Sequence, residues 1–365
     1  MASNAARVSV IVPVHNNPRD LPVCLHALKA AAGMILTDVI DRIEHRFDKW
    51  VEAEIIVVDD ASTDDTPTVA AESGVRVLQL TKKSGPGAAR NYGVAHSFGE
   101  IVFFVDSDIA VAADAIRRVM QIFDNRPEVA AVFGSYDNRP RAKGLVSQYR
   151  NLLHHFVHQN GNPDASTFWG GCGAVRRSVF EAVGGFDEEF RPVCSVDDIE
   201  LGYRIIRSGH RIFLDKELQG THLKRWTFRS VILADITHRA IPWSRLIIEN
   251  HNAPKDLNLK ITQRISVLLV ILACVFLLLG LVHVKFVAFA APALLTVGIL
   301  NRDLYAFFYR QRGLFFAGAC VPLHLLYYVY SSLSYLFVWA TFQIRKLTAV
   351  RLISALKSAA RSPRP

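Results

Sequence analysis

The sequence predicts an α/β protein: a mostly parallel sheet flanked by helices, followed by interfacial and transmembrane helices. Strand-like apolar runs alternate with helical stretches through the first part of the chain. Two of these runs end in acidic residues, at Asp59-Asp60 and at Asp106-Ser107-Asp108. The composition then shifts once, near residue 263, from mixed to almost uncharged.

The strand signals are VSVIVPV from Val8, EIIVVDD from Glu54, VRVLQL from Val75 and EIVFFVDSD from Glu100. They recur at roughly twenty-residue intervals, the pattern of a βαβ series. One longer gap, Ala30 to Ala53, holds TDVIDRIEHRFDKWVEAE, with Val39, Ile43, Phe47 and Val51 near helical spacing. It reads as an extended or second helix. After Arg118 the pattern loosens, then resumes as the histidine-rich helix QYRNLLHHFVHQ. His154 and His158 share a face of that helix, but no acid or cysteine accompanies them at ligand spacing. A solvated or acceptor-lining face is the reading.

A net charge of +9 raises nucleic acid as a partner, but the basic residues form no single stripe interleaved with aromatics. Many flank the apolar third instead: Lys255, Lys260 and Arg264 before it, Arg302, Arg310 and Arg312 within it, and Arg345, Lys346, Arg351, Lys357, Arg361 and Arg364 after it. Basic residues beside apolar spans face anionic lipid on the cytoplasmic side. MASNAAR runs straight into the first strand with no signal-peptide pattern, so the N-terminal region is expected in the cytoplasm at the inner membrane of a multi-pass protein. Cys24, Cys172, Cys194, Cys274 and Cys320 show no Cys-x-x-Cys pair and read as reduced, structural thiols.

From Lys224 the chain mixes basic and aromatic residues with aliphatics at helical intervals (Trp226, Val231, Leu233, Ile236, Ile241, Trp243, Leu246), as a segment lying in the headgroup plane does. RISVLLVILACVFLLLGLVHV meets the ~20 apolar residues a crossing needs. KFVAFAAPALLTVGIL is short, and LFFAGACVPLHLLYYVYSSLSYLFVWATF is long and interrupted by Pro322 and His324. Three crossings or two plus a hairpin both fit, and the basic tail argues for an even number if both ends are cytoplasmic. The expected division is 1–222, 223–262, 263–343 (two to three spans) and a tail of 344–365.

Carboxylates at the ends of parallel strands open onto a ligand crevice. Asp106 and Asp108, two apart at a strand end, are expected to point the same way and approach one divalent cation. Asp60, or else Asp59, suits the base or ribose of a nucleotide, whereas Ser62 to Asp65 reads as a helix cap. In KKSGPGAARNYG, the turn at Gly85-Pro86-Gly87 precedes a helix, with Lys82, Lys83 and Arg90 available to phosphate; a plain turn is the equal alternative. Asp197, Asp198 and Glu200 crowd the start of a helix carrying Arg204 and Arg207. Acids there favour the helix dipole, and their place as a third acidic station points further, to catalysis.

Together these segments resemble inverting family-2 glycosyltransferases of the GT-A, nucleotide-diphospho-sugar transferase, fold. VSVIVPVHN resembles their opening strand, EIIVVDDASTDDT their nucleoside-binding segment, and GPGAARNYGV followed by VDSD their donor loop and Asp-x-Asp. FWGGCGAVRRSVFEAVGGFDE resembles their acceptor-side segment, and SVDDIELGYRIIRSGHRI their Glu-Asp catalytic helix start, with Asp197-Asp198 in place of Glu-Asp. The resemblance covers roughly residues 7 to 226. It implies donor contacts from Pro13, His15, Asp59, Asp60, Gly87, Arg90 and Asp106, and a general base at Asp198 beside Asp197. It also implies acceptor contacts from Trp169, Gly170, Gly171, Arg225 and Trp226, and Mg²⁺ or Mn²⁺ held by Asp106 and Asp108. His222 is either a third metal ligand or structural. HLKRW resembles the Gln-x-x-Arg-Trp motif of processive synthases with His222 in place of Gln, a departure that argues for single additions.

The implied partners are a UDP- or GDP-linked sugar, a lipid or lipid-linked acceptor and the membrane, with no nucleic acid. A polysaccharide synthase and an inactive nucleotide-sugar-binding membrane scaffold are the alternatives. A nucleotidyltransferase would carry a Gly-rich phosphate loop after the first strand, where VPVHNNPRDLP stands instead.

Overall fold

Val8–Val14 forms β1, and every residue in it is buried because helices cover both faces of the sheet. Alternate side chains divide between the two layers: Val8, Val10, Val12 and Val14 enter one core cluster and Ile11 the other. β1 lies between two parallel neighbours, β2 (Ala53–Asp59) and β4 (Ile101–Val105), and β3 (Arg76–Gln79) pairs in parallel with β2. The connecting helices are α1 (Leu21–Ile43), α2 (Thr66–Glu72) and α3 (Pro86–Ala95). The register pairs Val14 with Asp59, so both strands end on the same rim.

This computed structural model describes residues 7–43, 53–188, 196–250, 257 and 260–359. Phe47, Val51, Cys194, Lys255, Arg361 and Arg364 lie outside the described residues, and of Arg351 and Lys357 only the backbone is described. Cys24, Cys172, Cys274 and Cys320 are free thiols.

Beyond β4 the parallel pattern gives way to a mixed half. The chain continues through β5 (Ile109–Val111), α4 (Ala115–Asn125), β6 (Val129–Tyr136), α5 (Leu145–Gln159), β7 (Asp164–Ala165) and β8 (Cys172–Arg176). It then passes α6 (Arg177–Ala182), α7 (Asp197–Arg207) and β9 (Arg211–His222). The sheet order is β3-β2-β1-β4-β8-β6-β9-β5, with β7 on β9. β8 is antiparallel to both β4 and β6, and β5 to β9, so the expectation of a mostly parallel sheet holds for the first four strands of that order and is corrected to mixed beyond them. The change comes with β8, which enters between β4 and β6 after α5 and β7 and runs opposite to both, while the three-residue β5 pairs with β9 and not with β4.

Past β9 the chain makes α8 (Phe228–Ala234), opened by a capping box between Thr227 and Ser230, then a π-helical turn at Asp235–Ala240 and α9 (Ile241–Asn250). α10 (Ile261–Gly280) and α11 (Val287–Leu300) form an antiparallel pair joined by a single turn at Val284–Phe286. Ala273, Ala290 and Ala293 pack together between them. α12 (Arg302–Ala359) is kinked at Gly313, whose φ is +83°. Two helical stretches, Ile261–Gly280 and Arg302–Thr348, have the length and apolarity of a crossing, and Val284–Leu300 is the shorter apolar helix.

α12 is fastened to the sheet domain. Leu304, Phe308, Ala317 and Cys320 share a buried cluster with Tyr149, Leu152 and Leu153 of α5. Arg312 donates from Nε to Gln148 Oε1 at 2.9 Å and from Nη2 to the Asn138 carbonyl at 3.0 Å.

Candidate functional site

The ends of β1 and β4 meet the starts of α3 and α7 at one cleft of about 350 Å³, lined among others by Pro13, Arg90, Asp106, Asp108, Trp169, Asp197 and Asp198. At its centre is Arg90, only 4% exposed. Its Nη2 donates to Asp106 Oδ1 at 2.7 Å and its Nη1 to Asp197 Oδ2 at 3.3 Å. One guanidinium thus ties the second acidic station to the third. A buried cation held between two carboxylates is the arrangement that low-dielectric surroundings require. Gly87 belongs to the same constraint, since a Cβ there would come within 2.9 Å of Asp197 Oδ2 and 3.3 Å of Phe186 Cβ.

Asp60 is turned toward the loop ahead of α3. The amides of Ser84 and Gly85 donate to its two oxygens at 2.6 and 2.8 Å, and His15 Nδ1 lies 2.8 Å from its carbonyl. Gly85 has φ of +89°, a backbone state that glycine adopts freely and that lets both amides converge on one carboxylate. Asp59 is fully buried and accepts from the Ser62 amide and from Gln79 Nε2, both at 3.2 Å. Lys82 and Lys83 are exposed on the same loop and do not line the cleft.

Asp106 and Asp108 differ from the strand-end geometry that their spacing suggests. β4 stops at Val105, and the Ile109 amide donates to the Asp106 carbonyl, so residues 106–108 turn tightly into β5 and strand alternation no longer applies. Asp106 faces Arg90, while Asp108 Oδ2 lies 3.5 Å from His222 Nε2. Burial raises the Asp106 carboxyl above its ordinary range against the pull of Arg90. Burial would raise Asp108 too, but His222 and Lys224 outweigh it and hold that carboxyl low. His222 closes β9, is 4% exposed and has its Nδ1 hydrogen bonded to Asn151 Oδ1 of α5. Its ring stacks on Tyr136 at 4.3 Å between centroids.

Asp197 and Asp198 open α7. The Gly170 amide donates to Asp198 Oδ2 at 3.0 Å and the Ile199 amide to Oδ1 at 2.8 Å. Burial, then the neighbouring Asp197 charge, pushes the Asp198 carboxyl up to about 7. Burial also raises Asp197, with Arg90 opposing. A carboxylate with a pKa near neutrality at the wall of a cleft has the properties of a general base.

Trp169 meets Tyr136 edge-on at 5.0 Å and His154 at 4.8 Å. Gly171 is held against the Trp169 indole, which a Cβ would approach to 2.7 Å. Trp226 is 7% exposed, its amide donates to Ser147 Oγ at 2.8 Å, and Lys224 Nζ sits 4.6 Å above its ring. Arg225 is exposed. The cleft therefore collects Pro13, Arg90, Asp106, Asp108, Trp169, Asp197 and Asp198, with Gly170 bonded to Asp198 and His222 beside Asp108. His15, Asp59, Asp60, Gly87, Gly171, Arg225 and Trp226 are not among its lining residues.

Sequence reasoning passed over Asn151, Arg150 and Arg239. Arg150, His154 and His158 recur at four-residue intervals on α5 and all line the cleft. That periodicity is the signal that finds Arg150, once an acid-lined pocket gives the face a direction.

Residues 9–184 match the family model described as glycosyl transferase family 2. Among curated relatives, the O-antigen chain rhamnosyltransferase WbaN of Salmonella anatum is 26% identical over 54% of this chain and 67% of its own length. The pre-mycofactocin glycosyltransferase of Mycobacterium tuberculosis is 26% identical over 56% of this chain and 40% of its own length. The chain spans about half the length of the curated relatives it matches. Among solved structures, a mannosyltransferase of Pyrobaculum calidifontis in complex with GDP-Man and Mn²⁺ is similar at a TM-score of 0.51 and 20% identity, covering 91% of this chain and 87% of that one. The likeness is one of fold.

Proposed function

From a chain whose residues 9–184 form a family-2 glycosyltransferase domain, we propose an inverting enzyme that moves a sugar from a UDP- or GDP-linked donor to a membrane-embedded lipid or lipid-linked acceptor at the cytoplasmic face. The observation that carries this reading is the Arg90 bridge: a buried guanidinium ties Asp106, half-buried at the cleft wall, to the buried Asp197 and so joins the donor-side acids to the helix start that carries Asp198.

In this reading Asp198 takes the proton of the acceptor hydroxyl as it attacks the anomeric carbon. The Gly170 and Ile199 amides fix its orientation. Direct displacement needs one base and no covalent intermediate, so the anomeric configuration inverts. Pro13, His15 and the Asp60-braced loop at Ser84–Gly87 border the nucleotide. Trp169, with Gly170 and Gly171 behind it, and the segment carrying Arg225 and Trp226 border the acceptor.

A divalent cation, Mg²⁺ or Mn²⁺, suits the donor set. Asn151 Oδ1 fixes the His222 ring through Nδ1, so that Nε2 faces Asp108 and would be placed to ligate an ion that replaced the contact between them. Among the described residues no group of three or more acids, histidines or cysteines lies close enough to hold a metal alone. Asp108 and His222, with Asp106 nearby, therefore fit an ion that takes further ligands from the donor's diphosphate. When bound, the ion neutralises charge on the departing diphosphate.

The two long apolar stretches and the aromatic-basic segment from Lys224 support a membrane location. The test is a membrane assay with a panel of labelled nucleotide sugars and extraction of product into organic solvent. Label transferred to the organic phase with inverted configuration is expected; no transfer from any donor in the panel refutes the proposal.

A further inference from the structure

The cleft does not end at the acids. Its far wall carries two arginines, Arg150 of α5 and Arg239 of the π-helical turn, that the proposed chemistry does not use. Both converge on one carboxylate. Asp235 Oδ1 lies 3.1 Å from Arg150 Nη2 and 2.8 Å from Arg239 Nη1, while Tyr330 of α12 donates to Oδ2 at 2.7 Å. Asp235 is 3% exposed, so among the described residues one buried negative charge faces two guanidiniums and the group carries a net positive charge. The Arg239 side chain is 37% exposed at the cleft wall, so the excess positive charge is open to an anion entering the cleft. Arg150 stays protonated despite burial, held so chiefly by Asp235.

Three further features give this charge a purpose. A π-helical turn is costlier than an α-turn and concentrates at functional sites, and here it sets Asp235 and Arg239 one above the other beside the cleft. Next to the pair, His154 Nδ1 is buried without a hydrogen-bond partner. The remaining wall on this side includes apolar Leu153, Val157 and Trp243. The site is thus cationic at one point, apolar around it, and joined to a helix of membrane-spanning length through Tyr330.

We infer that Arg150 and Arg239 form a subsite for the phosphate ester of a phosphorylated lipid acceptor, which completes the charge of the Arg150–Asp235–Arg239 group and fixes the acceptor relative to Asp198. Guanidinium pairs suit phosphate because their N–H forks match its oxygens. This rests on the transferase reading above and deepens it by naming the acceptor class.

The experiment uses the full chain in phosphatidylcholine nanodiscs, with polyprenyl phosphate, uncharged polyprenol and inorganic phosphate as probes. Binding of polyprenyl phosphate is expected, with Arg239→Gln weakening it about 10-fold or more while binding of the donor nucleotide is unchanged. Arg239→Lys should recover part of the loss. Asp235→Asn, which removes the competing anion, should tighten phosphate binding; a purely structural ion pair predicts the opposite. Inorganic phosphate should compete only far above the lipid's own concentration, whereas equal potency would mean a free-phosphate site and overturn the lipid assignment. Equal binding of polyprenol and polyprenyl phosphate, or an Arg239→Gln protein with wild-type lipid affinity, would also overturn it. Loss of nucleotide binding in the wild-type protein would instead defeat the transferase reading.

Discussion

Replacing Asp198 with Asn should make the protein less active and more stable, by an amount that depends on pH. Burial and Asp197 raise this carboxyl from an ordinary 3.8 to about 7. The folded state therefore keeps its proton over a range where the unfolded chain has lost it. Stability falls as pH rises from 4 to 7, and the penalty then stays constant. At about 1.4 kcal/mol per pH unit the charge costs about 4 kcal/mol above pH 7. Asn removes that cost but turns an NH₂ toward one of the two amides, of Gly170 and Ile199, that now donate to the carboxylate, which gives back about 1 kcal/mol. The net gain is about 3 kcal/mol at pH 8, or about 6 °C at about 2 °C per kcal/mol. Thermal melting of both proteins in one detergent, from pH 4 to pH 8, checks it: the gap should open with rising pH and nearly vanish at pH 4. Turnover should meanwhile drop by at least ~100-fold, as expected for a lost general base, with donor binding little changed. A gap independent of pH would refute the strained carboxylate, and near-normal turnover would refute its role as base.

Wild-type kcat/KM should itself rise with pH through about 7, as Asp198 deprotonates, and a rate flat from pH 5 to pH 9 would count against it. Excess chelator should abolish turnover, and Asp108→Ala should weaken donor binding; full activity in chelator would remove the metal from the mechanism. Gly87→Ala, whose methyl would press on Asp197, should cut turnover about 10-fold or more by loosening the Arg90 bridge at a cost of about 1–3 kcal/mol; unchanged kinetics would mean the bridge is not required. Phe308→Ala should lower stability by about 3 kcal/mol in a detergent melt, because the ring is fully buried where α12 meets α5.

The parallel half of the sheet was legible because β1 and β4 are short apolar runs buried throughout, and because acids close or follow β2 and β4 at the rim where a crevice opens. The mixed half was harder. β6 is VAAVFGSY, eight residues without polar alternation and lying between turn-rich segments, and nothing local marks β8 as running antiparallel to its neighbours. The acids themselves were visible, but their connection was not. Arg90 read as available to phosphate, with a plain glycine-rich turn as the equal alternative, and only the fold shows its guanidinium committed to Asp106 and Asp197. Arg150 and Arg239 escaped for a related reason: they stand far apart in sequence and share Asp235 only when α5 packs against the π-helical turn.

That packing gives α5 two duties. One face carries Arg150, His154 and His158 into the cleft, the other carries Tyr149 and Leu152 into the buried seam with α12, and Leu153 touches both. Close-packed seams transmit displacement and do not absorb it. In the proposed orientation, a thinner or thicker bilayer that changes the tilt of α12 would carry the α5 wall with it and widen or narrow the gap between acceptor and base. Catalytic rate would then report acyl-chain length, and the lipid would act as a mechanical regulator of an enzyme whose chemistry lies outside it.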